Sequence, residues 1–156
     1  MQKIEPRRPT YQDAVAKWLL STFGEKIAND PDERNQRFLE EAVELVQSLG
    51  ATKQECHELV DYVFSRSKGE PAQEVGGVIV CLAALCNVAG LDMLECSLTE
   101  LDRIDNALTM DKIKQKHKGK PKFGRLRFRD VGSPWDSLKD MTVEQQHAMW
   151  SKIVPG

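Results

Sequence analysis

Residues 72–89 read AQEVGGVIVCLAALCNVA. Apart from Gln73, Glu74 and Asn87 the stretch is apolar or glycine all round a helical wheel. It is also too long for an ordinary strand, so it predicts a buried helix. Pro71 stands just inside its start and Gly90 just past its end, the usual punctuation of a helix. A helix of this kind needs other helices around it, and the flanking sequence supplies them.

On the N-terminal side, Thr52 and Glu55 form a capping box. They open a helix over 53–66 that carries Leu59, Val60, Val63 and Phe64 and stops near Gly69. Before it, Asn29-Asp30-Pro31 starts a helix over 31–49, with Leu39, Ala42, Val43, Val46 and Leu49 in one stripe and Gly50 closing it. Val15, Trp18, Leu19 and Thr22 give helical spacing over 11–23, ended by Gly24. On the C-terminal side, Leu98, Leu101, Ile104, Leu108 and Ile113 predict one long helix over 98–117, with that stripe inward.

No segment of 1–118 alternates with period two. A strand is conceivable only over 123–131, where Phe123, Arg125, Arg127 and Arg129 alternate with Leu126 and Phe128. Three glycines and two prolines between 119 and 135 predict a mostly irregular stretch, and Thr142 with Gln145 predicts a short helix over 141–153. The expectation is an all-α protein: a helical bundle domain over 1–118 and an irregular basic extension over 119–156.

Composition narrows the function classes. At 156 residues, 40% hydrophobic and 29% charged, the chain has the make-up of one globular domain. No run of about 18 uncharged apolar residues occurs, which predicts that no helix crosses a bilayer. MQKIEPRRPT lacks a signal-peptide core. Cys56, Cys81, Cys86 and Cys96 show no CxxC spacing, so reduced thiols and a cytoplasmic location are expected. Charge is unevenly spread. Lys112–Arg129 holds nine Lys/Arg and no acid, leaving thirteen Lys/Arg against twenty-four Asp/Glu, a net −11, elsewhere. An acidic body repels nucleic acid, although the basic run 112–129 with Phe123 and Phe128 could serve a single strand.

Three acidic groupings stand out. Glu40, Glu41 and Glu44 share one helix, with no Lys or Arg between Arg37 and Lys53 to offset them. Like charges at that spacing are mutually unfavourable. A hard cation such as Mg²⁺ would reverse that cost, and a solvated acidic face is the plain alternative. Glu74 opens the most apolar helix, where it is either favoured by the helix N-terminus or bound to something. Gly76 and Gly77 suggest a close approach there. Glu58 and Asp61 form an ExxD that reads as a surface pair or as a further metal arm. Trp18 reads as packing or as a base-stacking ring. Lys112, Lys114 and Lys116 are either basic residues favoured at a helix C-terminus or phosphate ligands. His57, His117 and His147 have no metal spacing, and no P-loop, GxGxxG or GxSxG occurs.

EExxE (Glu40, Glu41, Glu44), followed by Glu74-Val-Gly-Gly-Val-Ile-Val-Cys-Leu-Ala-Ala-Leu-Cys and Gly90-Leu91-Asp92-Met93, resembles the MazG-like all-α nucleoside triphosphate pyrophosphohydrolases. Trp18…Phe23-Gly24 and Arg34-Asn-Gln-Arg-Phe38 resemble the phage and prophage members, and the likeness covers roughly residues 10–118. It implies a four-helix bundle core built from oligomerising subunits. It also implies Mg²⁺-dependent hydrolysis of a (deoxy)nucleoside triphosphate to the monophosphate and pyrophosphate, with Mn²⁺ as a substitute ion.

On the same likeness Glu41, Glu44 and Glu74 are metal ligands, and Glu40 orients water or a further metal. Gly77 stands where the family's ExxD has its Asp, and Asp61 is the candidate replacement. Glu58-Leu-Val-Asp61 could itself be the ExxD. Members of the MazZ type act on dGTP, which makes dGTP or GTP one candidate substrate among several. The missing ligand also leaves open a degenerate member that binds nucleotide without turnover. The apolar helix over 72–89 is expected to pack on a second copy, giving a homodimer or homotetramer.

Overall fold

A computed structural model describes residues 9–120 together with Leu126 and Thr142. The expected strand over 123–131, the helix over 141–153, His147 and nearly all of the basic extension lie outside these described residues. Seven helices account for about 80% of the described residues, and no strand occurs among them. They are α1 (Tyr11–Phe23), α2 (Glu25–Ala28), α3 (Pro31–Ser48), α4 (Lys53–Phe64), α5 (Pro71–Ala89), α6 (Met93–Ile104) and α7 (Ala107–Gly119). The all-α expectation holds.

Local chemistry sets the boundaries. The Asp30 side chain accepts from the Asp32 and Glu33 amides, with Pro31 at the first helical position of α3. Thr52 and Glu55 close the reciprocal capping box of α4. Thr10 and Asp13 do the same for α1. Gly90 ends α5 in the left-handed region at φ 68°, a conformation other residues adopt only with strain.

The single helix expected over 98–117 is two. Asp92 caps α6 by accepting from the Glu95 amide, so that helix begins earlier. The chain leaves helical geometry at Asp105 (ψ 49°) and restarts when Asn106 caps the Thr109 amide. The stripe Leu98–Leu101–Ile104–Leu108 runs through this break, which is why the period alone conceals it. Two of its members do not face inward in one chain: Leu98 is 51% and Leu108 78% exposed. The one-turn helix α2 is too short to show a period in the sequence.

Helix α1 packs on α2 and α7, and α6 packs on α5 and α7. The Tyr11 hydroxyl donates to the Ser97 carbonyl at 3.2 Å, and the Trp18 indole N–H donates to the Ile104 carbonyl at 3.1 Å. Both bonds tie α1 to α6. Two ion pairs span α3 and the end of α7, as described below.

Among the described residues only Thr22 and Ala28 are buried. The expected burial of α5 is therefore not met within one chain; Val80 is 69% and Val88 89% exposed. At 19 residues and a mean hydropathy of 1.7, α5 is long and apolar enough to cross a membrane by length and composition. Glu74 interrupts its uncharged run, and the expectation that no helix is apolar enough to cross a bilayer does not hold for α5. Leu39 and Val43 on α3 and Leu49 just past its end are exposed too, as are Leu59, Val60, Val63 and Phe64 on α4.

Candidate functional site

A cavity of about 430 Å³ opens between α1, α3, α6 and α7. Its aromatic wall is Trp18, Phe23 and His117. Trp18 meets Phe23 edge to face at 5.9 Å between centroids, and Phe23 meets the His117 ring at 5.2 Å. Because the Trp18 N–H is already used on Ile104, what this residue offers a ligand is ring surface.

Eight charged side chains line the same cavity: Glu33, Arg34, Arg37 and Glu41 from α3, Glu100 and Arg103 from α6, Lys116 from α7, and Lys120 just beyond it. Most are committed to one another. Arg103 places both prongs of its guanidinium on Glu100, from Nε at 2.7 Å and Nη2 at 2.6 Å. The fork lowers the Glu100 carboxyl below its ordinary pKa and raises that of Arg103, in each case chiefly through the hydrogen bond. Glu33 Oε1 lies 3.1 Å from Arg37 Nε and 3.0 Å from His117 Nε2, but 3.7 Å from Arg34 Nη2.

Glu40 receives Lys120 Nζ at 2.6 Å and is ion-paired with Arg37. Burial tends to raise its carboxyl pKa, but the Lys120 hydrogen bond and charge, with Arg37 and Lys116, outweigh burial and hold it below the ordinary value. The acidic helix thus has basic partners after all, one of them 80 residues away.

The sequence candidates divide accordingly. Trp18, Glu41 and Lys116 line the cavity, and Glu40 is tied to two residues that do. Glu44 is exposed one turn further along α3 and is not among the lining residues. Asp61 on α4 and Glu74 on α5 are exposed and lie outside it as well. The Glu74 carboxylate turns back over Gly69, where it would meet an added Cβ. A Cβ at Gly76 or Gly77 would meet nothing within 4 Å, so the close approach expected there is not made within one chain. Lys112 is exposed on α7, and Lys114 lies 3.7 Å from Asp111.

Among the described residues, no group of three or more His, Cys, Asp or Glu side chains converges to hold a metal ion. Sequence reasoning missed Phe23, Glu33, Arg34, Arg37, Arg103, His117 and Lys120 as lining residues. The one available signal was Arg34-Asn-Gln-Arg37, which places two guanidiniums one to two turns before Glu40 and Glu41.

No family model matches the chain, no curated protein matches it, and no solved structure matches it.

Proposed function

We propose that this chain hydrolyses a nucleoside or deoxynucleoside triphosphate to the monophosphate and pyrophosphate, with the substrate seated in the α1–α3–α6–α7 cavity. The observation that carries the reading is the state of Glu41. Of the three carboxylates lining the cavity, it alone has no ion-pair partner among the described residues. Cations and ring surface line the same space.

Splitting a phosphoanhydride needs no protein nucleophile; it needs a placed water and neutralised phosphate charge. Trp18, Phe23 and His117 offer the base their ring surface, and the cations draw the phosphates towards the end of α7. Mg²⁺, or Mn²⁺ in its place, would supply Lewis-acid neutralisation and a more acidic water. Glu41, with Glu44 one turn on, would hold it. Such an ion is commonly held by one or two carboxylates, with waters and substrate phosphates filling its shell. Glu41 supplies such a carboxylate at the cavity, while Glu44 stands outside its lining.

Asp61 and Glu74 belong to this site only through a second copy packed on the apolar faces of α4 and α5. We propose such an assembly, a homodimer or homotetramer completing a four-helix bundle, because those faces are exposed in one chain.

The test is pyrophosphate and monophosphate release from the four ribo- and four deoxynucleoside triphosphates, with Mg²⁺ and then with EDTA. Metal-dependent release of both products is expected, and Glu41→Gln should abolish it. Retained nucleotide binding without release would support the second reading, a degenerate binding protein, which Gly77 and the absence of a three-acid group among the described residues favour. Nucleic-acid binding by 112–129 is less favoured. Lys116 and Lys120 line the cavity, and Lys114 is drawn to Asp111.

A further inference from the structure

The cations around the cavity are not equivalent, and the difference selects a ligand. Arg103 is saturated by the Glu100 fork. Lys120 is spent on Glu40, and the charge of Arg37 is neutralised by Glu33 and Glu40 on either side, although its Nε and Nη1, like Arg34 Nε, make no well-formed hydrogen bond. Arg34 and Lys116 remain. Arg34 is about two-thirds buried, and its Nε has no hydrogen-bond acceptor among the described residues. Its one ion pair among the described residues is the 3.7 Å contact with Glu33, a carboxylate whose same oxygen already serves Arg37 and His117. Lys116 makes no hydrogen bond or ion pair among the described residues, although its charge is felt at Glu40.

A buried guanidinium nitrogen without an acceptor is costly, since its desolvation is not returned by a hydrogen bond. Burial is likewise the main reason that the Arg34 pKa is lowered. A flat fork and a point charge on facing elements suit an anion with several oxygens on two linked centres.

We propose that Arg34 and Lys116 form a metal-independent clamp for a diphosphate anion, taken either as free pyrophosphate or as the terminal phosphates of a nucleotide. This deepens the reading of the cavity as a triphosphate site, and it makes pyrophosphate a ligand in its own right. Arg34 supplies paired N–H donors, Lys116 neutralises the opposite side, and the committed cations only shape the surrounding field.

The experiment titrates inorganic pyrophosphate into the full chain by calorimetry, in EDTA. Saturable binding is expected. Arg34→Gln should weaken it about ten- to a hundredfold, the loss of a charge-assisted hydrogen bond. Lys116→Gln should weaken it several-fold, and Arg103→Gln, which removes an equal charge from another helix lining the same cavity, by no more than about twofold. Arg34→Lys keeps the charge without the fork and separates a folding defect from lost recognition; an intermediate loss is expected. Equal losses for Arg34→Gln and Arg103→Gln would overturn the clamp in favour of a diffuse positive field, and so would absence of binding without metal. Pyrophosphate binding in a chain that releases no product would instead sink the hydrolysis reading and leave the clamp standing.

Discussion

Glu40 and Glu41 are neighbours in sequence with opposite commitments, and that contrast yields two predictions. Glu41 has no ion-pair partner among the described residues, so Glu41→Gln should remove triphosphate hydrolysis by at least about a hundredfold while leaving the helical circular dichroism signal intact. Glu40 holds Lys120 and Arg37, and with Glu33 it fastens α3 to the end of α7. Its folded pKa is lowered from the ordinary 4.5. Its contribution to stability is therefore complete above the unfolded pKa and is lost as pH falls through the folded one. Denaturant titrations should show Glu40→Gln less stable than the parent at neutral pH, with the difference shrinking as pH falls below the ordinary 4.5. A constant difference across that range would remove the ion pair as its cause. The residues that sequence reading found (Trp18, Glu41, Lys116) were legible from type and local spacing. Arg34, Arg37 and Lys120 were not, because what matters about them is their choice of partner, and the Lys120–Glu40 partnership spans 80 residues.

At the scale of the helices, caps were legible and continuity was not. Asp30-Pro31, Thr52 with Glu55, and Gly90 each act within one turn, so their meaning can be read locally. The break between α6 and α7 is also made by a cap, Asn106, but an apolar stripe running across it outweighed a single polar residue in the reading. Asn106 fixes where α7 begins and hence where Lys116, His117 and Lys120 reach the cavity. Asn106→Ala should cost about 1 kcal/mol of stability in chemical denaturation, the usual worth of such a cap. It should also weaken pyrophosphate binding, since the register of α7 is loosened. A stability loss with unchanged binding would show that α7 is held in place by its ion pairs to α3 alone.

At the scale of the molecule, apolar faces on α3, α4 and α5 stand exposed among the described residues. The all-α class was legible because periodicity reports helices whatever covers them. Burial was not, because hydrophobicity says that a face wants a partner without saying which chain provides it. The proposed assembly predicts a sedimentation mass of two or four chains. Val80→Glu, at an exposed position on α5, should shift that mass towards one chain. Recovery with detergent micelles or lipid vesicles instead would assign the length and hydropathy of α5 to a membrane.

The two-residue buried set has a thermal consequence. If the interior is built between chains, unfolding and separation are one event, and dilution acts as a denaturant. The melting midpoint should climb with the logarithm of protein concentration. A midpoint independent of concentration would mean that the single chain holds itself together.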